Sequence, residues 1–342
     1  MRLTRRRFLT GAAASGGVGL LPPVATAQMG AAASVSSLEV TARPIASFDP
    51  RDATHVRYGS LEFRSGLVLT SSFKGFGGLS ALHLDEKGER FISLSDKGDW
   101  FTGRLTYSGK NLKGMADVTS ARMLGPDGKR ITSRGWFDTE SLAFDGSVAY
   151  VGLERVNQIL RFDFSKGGIR SRGEPIAVPP ALSKLPFNKG IESLVFVPKD
   201  QPLAGTLIAI SERGLDSSGN TIGFLIGGPA PGQFSVVRNN DYDISDAMLL
   251  PSGDLLLLER KFSILKGVGI RIRRVPLASV KPDALIDGAT IFEVDLSYEI
   301  DNMEGIDAHV TAEGETVLTL ISDDNFSMIQ RTLLLQFTLV DA

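Results

Sequence analysis

Residues 189–214, KGIESLVFVPKDQPLAGTLIAISERG, alternate apolar and polar positions in ESLVFV, break at PKDQPLAG and resume an apolar run in TLIAIS. Two such runs around a polar break predict an antiparallel hairpin. The start of the first strand and the end of the second then lie at one edge, so Glu192 faces the same mouth as Glu212 and Arg213. Four other stretches rewrite this one. Residues 138–157 carry Glu140 at entry and Glu154 with Arg155 at exit, and residues 243–262 carry Asp246, then Glu259 with Arg260. Residues 301–326 carry Glu304, then Asp323 and Asp324; residues 75–100 have Gly78 at entry and Asp96 with Lys97 at exit. The entry positions are 62, 52, 54 and 58 residues apart. Repeats of about fifty residues built from strands and Gly/Asp turns belong to propeller blades.

The pattern therefore predicts an all-β chain folded as a β-propeller of five or six blades, each hairpin forming the inner two strands of a blade. LEFRSGLVLTS (61–71) and RTLLLQFTLV (331–340) read as strands that share a blade and close the ring between the N- and C-terminal ends. Residues 105–136 supply either outer strands of the first blade or a degenerate extra blade. Residues 214–234 are loop-rich around a short apolar middle. Helical periodicity is scarce, and only short turns such as 278–285 look helical.

The first 27 residues stand apart. TRRRFL (4–9) is a twin-arginine pattern, a Gly- and Ala-rich apolar run follows, and Ala25-Thr26-Ala27 offers a small-residue cleavage site. The expected order is a signal peptide over 1–27 cleaved after Ala27, a flexible leader over 28–54 and a single propeller domain over 55–342. The twin-arginine export machinery is the expected partner of that signal, and the periplasm or the exterior the destination. No later stretch reaches the ~18 consecutive apolar residues of a membrane span. With no cysteine there is neither a disulfide framework nor a thiolate site. Without the four signal arginines, 33 basic residues face 39 acidic ones, a net charge of −6, and no basic cluster interleaved with aromatics offers a nucleic-acid surface.

Stacking five hairpins about an axis gathers their ends on one rim. That rim would hold Asp96, Glu140, Glu154, Glu192, Glu212, Asp246, Glu259, Glu304, Asp323 and Asp324, with Lys97, Arg155, Arg213 and Arg260 beside them. Ten carboxylates at one mouth repel one another unless cations or protons intervene. A hard divalent cation, Ca²⁺ or Mg²⁺, would supply the missing charge. A metal set against arginines and lysines also holds phosphate esters and activates water against them. The plainer role for the same acids is capping turns and bridging blades. Gly190 and Gly305, beside two of the glutamates, fit either close backbone approach to a ligand or tight turns. No GxSxG elbow, P-loop, HExxH or GxGxxG before a helix occurs. His83 and His309 fall inside strands and His55 near the leader, which leaves no base for a serine hydrolase. Trp100 and Trp136 fit blade packing or stacking on a ligand.

The motifs GLSAL…SLSDKGDW, DTESLAF…LER, GIESLVFVP…ISERG and NMEGIDAH…LISDDNF resemble bacterial proteins grouped as the esterase-like domain of the phytase family, over about residues 55–340. The resemblance implies a propeller with phosphoester chemistry carried by Asp96, Glu140, Glu154, Glu192, Glu212, Glu304, Asp323 and Asp324. The expected function is an exported, metal-dependent phosphoesterase acting on a small phosphomonoester or phosphodiester. Glu192, Glu212 and Glu304 would be catalytic; Asp96, Glu140, Glu154, Asp323 and Asp324 would hold the metal; Lys97, Arg155, Arg213, Arg260 and Asn325 would bind substrate. Two alternatives stand beside it. One is a calcium-dependent lactonase or sugar-ester hydrolase, with Asn325 or Asn302 at the ion. The other is a non-catalytic module whose acidic funnel captures a cationic ligand. Basic side chains aimed into the funnel favour the phosphoesterase, and an apolar pocket beside the site favours the lactonase-like enzyme.

Overall fold

The innermost strands carry the least alternation in the chain. IESLVF and TLIAIS are buried along nearly their whole length, as strands are when both faces are covered. The computed structural model describes residues 34–263 and 267–340, and within these it forms five antiparallel-type sheets arranged as the blades of a β-propeller. From the axis outwards the first blade runs Leu79–Leu84, Arg90–Ser95, Asp99–Ser108 and Asn111–Arg122. The second runs Thr139–Asp145, Val148–Leu153, Gln158–Asp163 and Gly173–Pro175. The third runs Ile191–Phe196, Thr206–Leu215, Thr221–Gly227 and Gly232–Val236, with Leu285–Ile286 added in parallel at its edge. The fourth runs Asp243–Leu249, Asp254–Ser263, Gly267–Pro276 and Ala289–Asp295. The fifth runs Met303–Val310, Thr316–Ser322, Thr332–Leu339 and Leu61–Thr70.

The ring closes as the sequence predicts. Leu61–Thr70 pairs antiparallel with Thr332–Leu339, from Leu339↔Leu61 to Thr332↔Leu69, inside the fifth blade. Residues 105–136 mostly form outer strands of the first blade, which fixes the count at five. No α-helix occurs among the described residues, and residues 277–279 form only a short 3₁₀ turn.

The cores lie between blades. Trp100 is fully buried and meets Phe162 and Phe164 edge-on at ring separations of 5.2 Å, joining the first blade to the second. It is blade packing, and Trp136 carries the Arg134 guanidinium on its ring. Each fully buried Leu or Phe of this kind contributes about 1.5–3 kcal/mol.

One expectation needs correcting. The leader drawn over 28–54 is not loose where it is described. Val35–Ser37 pairs with the outermost strand of the first blade, and Thr41–Ile45 pairs with Leu61–Thr70 of the fifth. Phe48 behind them is 1% exposed, inside a cluster of Tyr58, Phe63, Phe292, Tyr298 and Phe337. Two small strands covering two exposed sheet edges need little apolar surface of their own, so Ser, Thr and Ala suffice there. The segment is a strap joining the first and last blades. The twin-arginine pattern and the cleavage site after Ala27 lie outside the described residues.

Candidate functional site

Every inner hairpin contains the same irregularity. Pairing skips one residue of the innermost strand: Ser80, Glu140, Glu192, Ser245 and Glu304 in blades one to five. A bulge leaves its extra residue outside the ladder and re-aims the side chain. Five equivalent bulges around an axis make a ring of three glutamates and two serines. Two of the expected entry positions shift accordingly. The first blade uses Ser80 rather than Gly78, and the fourth uses Ser245 rather than Asp246.

A second ring lies just above. On each second strand, the residue after the partner of the position just before the bulge is Asp96, Glu154, Glu212, Arg260 or Asp323. Four of their backbone N–H groups donate to equivalent carbonyls, Asp96 to Gly78, Glu154 to Asp138, Glu212 to Gly190 and Asp323 to Asn302, at 2.9–3.0 Å. Arg260 pairs with Asp243 at the matching place in the fourth blade. An arginine therefore stands where four blades carry an acid.

Arg260 ties the two rings together. Its Nη1 donates to Asn302 Oδ1 at 2.6 Å and to Glu304 Oε1, and its Nη2 donates to Glu192 Oε1 at 3.3 Å and Glu212 Oε1 at 3.5 Å. Burial works against its charge, and Glu304, Glu192 and Glu212 outweigh that and raise its pKa. Asn302 Nδ2 also donates to Glu304 Oε1 at 2.6 Å, so the fourth blade grips both of its neighbours through one guanidinium.

The rings line a polar funnel of about 270 Å³. It gathers Asp96, Glu140, Glu154, Arg155, Glu192, Glu212, Arg260, Glu304, Asp323 and Asn325, together with Asp138 and Asn188, which the repeat alignment passes over. Asp138 sits two residues before the Glu140 bulge and accepts from Arg155 Nε at 2.6 Å. Comparing the residue two places before each bulge would have found it.

The remaining expected residues lie elsewhere. Asp324 accepts from the N–H groups of Gly78 and Phe326 at 3.0 Å and from the Thr332 hydroxyl at 2.9 Å; it closes the ring seam and does not line the funnel. Lys97 lies over the Phe326 ring. Arg213 crosses to Asp243 of the next blade, Nε to Oδ2 at 2.6 Å. Asp246 takes the N–H groups of Ala247 and Ile306. Glu259 is buried inside its blade between Arg271 and Arg273. Both miss the mouth because the fourth hairpin is displaced by one residue from the expected alignment, which turns side chains to the other face. His83 stacks on Phe144 towards the far end of the channel, and His309 packs over Gly88 of the first blade.

Two glycines make room here. A Cβ on Gly78, whose φ is +60°, would sit 2.5 Å from Asp96 Oδ1 and 2.4 Å from the Phe326 ring. One on Gly190 would meet Asn157 Oδ1 at 2.2 Å, and the Gly190 N–H donates to Glu154 Oε1 at 3.1 Å. Gly305 lets the inner strands of the fifth and first blades close, since its Cβ would lie 3.0 Å from the Leu82 nitrogen.

Crowding holds protons in the funnel. Burial, then the charges of Asp138 and Glu304, against the pull of Lys97, raises Asp96 to about 6. Burial, then the charges of Glu212 and Asp138, raises Glu154 to about 7. Burial and the charge of Glu304 raise Asp323 to about 8 against the Asn325 N–H it accepts. Glu140 and Glu192 are pushed well above the carboxylate range by burial and by each other's neighbourhood, including Glu304. Burial also raises Glu212, against Arg260. Glu192 Oε2 and Asp96 Oδ1 are buried without a partner.

No group of three or more carboxylates or histidines among the described residues is arranged to hold a metal ion, and the Arg260 guanidinium bridges Glu192, Glu212 and Glu304.

Among solved structures, the chain is similar to glutaminyl cyclase from Myxococcus xanthus, at 12% identity and TM-score 0.38, over 78% of this chain and 92% of that one. It is similar to a putative 6-phosphogluconolactonase from Bacteroides uniformis, at 13% identity and TM-score 0.37, over 86% and 95%. No curated protein sequence matches it. The sequence profile of the phytase-like family, described as esterase-like activity of phytase, matches residues 74–326. Covering most of the chain and all five inner hairpins, that match shows that the chain belongs to the phytase-like family.

Proposed function

We propose that the protein is an exported ester hydrolase working by general acid–base chemistry at the acidic mouth of the propeller. The observation that carries this is the division of the funnel's acids into two sets. Glu192, Glu212 and Glu304 are occupied with Arg260, whereas Asp96, Glu154 and Asp323 line the same funnel with pKa values spread from about 6 to about 8. Carboxyl groups in one site with separated pKa values can serve as base and acid at neutral pH.

In this reading the roles expected from the sequence exchange. Asp96 is ionised at pH 7 and takes a proton from water as the water adds to the ester carbonyl carbon. Asp323 is protonated and gives its proton to the leaving alkoxide oxygen as the C–O bond breaks. Asn325 on the funnel wall orients the carbonyl. The Arg260 cluster is the rigid floor on which these groups are set.

A carboxylic ester suits the funnel better than a phosphoester. Three of the four basic residues expected to grip phosphate are engaged with acids, and Lys97 lies on an aromatic ring. An anionic phosphate finds no spare cation in the funnel, because both arginines that line it already pair with acids. Calcium remains a proposal on the phosphoester side, where an added cation would have to rearrange the Arg260 cluster. The same negative funnel favours capture of a cationic ligand as a second reading.

The test is hydrolysis of p-nitrophenyl acetate and p-nitrophenyl phosphate by the purified mature protein, each with added calcium and with chelator. Acetate turnover insensitive to chelator supports the proposal. Calcium-dependent phosphate turnover without acetate turnover overturns it in favour of the phosphoesterase, and no turnover of either leaves the binding reading.

A further inference from the structure

Beside the funnel lies a larger chamber of about 610 Å³ that shares Glu212, Arg260 and Asn325 with it. Its outer wall is apolar: Phe262 and Val268, a facing pair across the outer hairpin of the fourth blade, with Leu296 and Ile329. Three of these are conspicuously solvated, Phe262 at 76%, Leu296 at 52% and Ile329 at 91% exposure. Single exposed apolar residues are ordinary, but a group of large ones on one wall of a cavity gains most by covering a ligand. Glu212, Arg260 and Asn325 line both spaces, so a molecule in the chamber can present a polar end to the acidic rings.

We infer that this chamber is the binding site for the apolar arm of the ester, which makes the substrate class amphiphilic: a carboxylic ester with an aliphatic or aromatic arm of four carbons or more. The inference rests on the ester-hydrolase reading for the identity of the polar end. The funnel, lined by charged and polar side chains, is too polar to hold such an arm, and Arg260 and Asn325 line the chamber as well. The arm displaces water from Phe262, Leu296 and Ile329 while the carbonyl stays among the acids. Each methylene taken from water strengthens binding about fourfold.

The experiment measures kcat/KM over two ester series, p-nitrophenyl acetate to hexanoate and ethyl to hexyl acetate. The arm's two possible sources, acyl and alcohol, are thereby separated. In one series the value should rise about fifteenfold from two to four carbons, and the long-to-short ratio should fall towards one in Ile329→Arg and in Leu296→Arg. A flat series, or a length preference that survives both variants, overturns the inference. If no ester turns over, the hydrolase reading fails separately, and binding of neutral N-phenyl-1-naphthylamine judges the chamber alone. Saturable one-to-one binding lost in Ile329→Arg upholds it, and absence of binding overturns it.

Discussion

Arg260 and Glu304 meet across the seam between the fourth and fifth blades, guanidinium Nη1 on carboxylate Oε1, at the floor of the funnel. The same guanidinium reaches Glu192 and Glu212 of the third blade. One residue of an acidic ring has been exchanged for a cation, and that exchange lets the other acids lie close together.

Arg260→Ala should therefore destabilise the fold strongly. Removing one partner leaves buried carboxylates without compensation, at a cost of about 3–5 kcal/mol. The loss should be smaller at pH 5 than at pH 8, because Glu192 and Glu212, both raised by burial, can take up protons instead. Urea unfolding at the two pH values checks both statements; equal small losses would show that the cluster is held by something else.

Stability should fall as pH rises. A carboxyl group whose pKa is raised by folding favours the fold while protonated, and that contribution is lost as pH climbs through the folded value. With Asp96, Glu154 and Asp323 at about 6, 7 and 8, the midpoint of thermal unfolding should drop between pH 5 and pH 9. Asp323→Asn, which copies the protonated form, should flatten the upper part of that slope.

Gly78→Ala should cost about 1–3 kcal/mol through the positive φ alone. Its Cβ also meets Asp96 Oδ1 and the Phe326 ring, so ester turnover should fall even where the variant remains folded. Circular dichroism with kcat/KM on the same preparation separates the two effects.

Phe48→Ala should remove about 3–5 kcal/mol, as a large buried aromatic does. A cost below 1 kcal/mol would mean that Phe48 does not tie its segment to the fourth and fifth blades.

Much of this was legible in the sequence, and each exception has a physical cause. Glu140, Glu192 and Glu304 stand out because a charged residue opens an otherwise apolar strand, and the bulge sets each at the axis. The fourth blade misled because DLLLLER carries no alternation: a strand buried on both faces gives no phase, so a slip of one residue placed Asp246 and Glu259 on the rim and Arg260 beside it. Lys97 and Arg213 follow the upper ring by one position and turn away by the same alternation, whereas Arg155 stays on the funnel wall through its bond to Asp138. The strap was hidden by its composition, since SSLEVTARPI has too little apolar surface to mark a strand that only covers an edge. The side chamber is assembled from hairpin ends and loops of different blades, which no local pattern brings together.

The most direct test of the account is the pH dependence of kcat/KM for p-nitrophenyl acetate in the parent protein, Asp96→Asn and Asp323→Asn. A base at about 6 and an acid at about 8 predict a bell centred near pH 7. Asp96→Asn should lower the plateau about 10²-fold or more and remove the acidic limb, and Asp323→Asn should remove the basic limb. A profile that keeps both limbs in both variants would contradict the assignment of acid and base to these two residues.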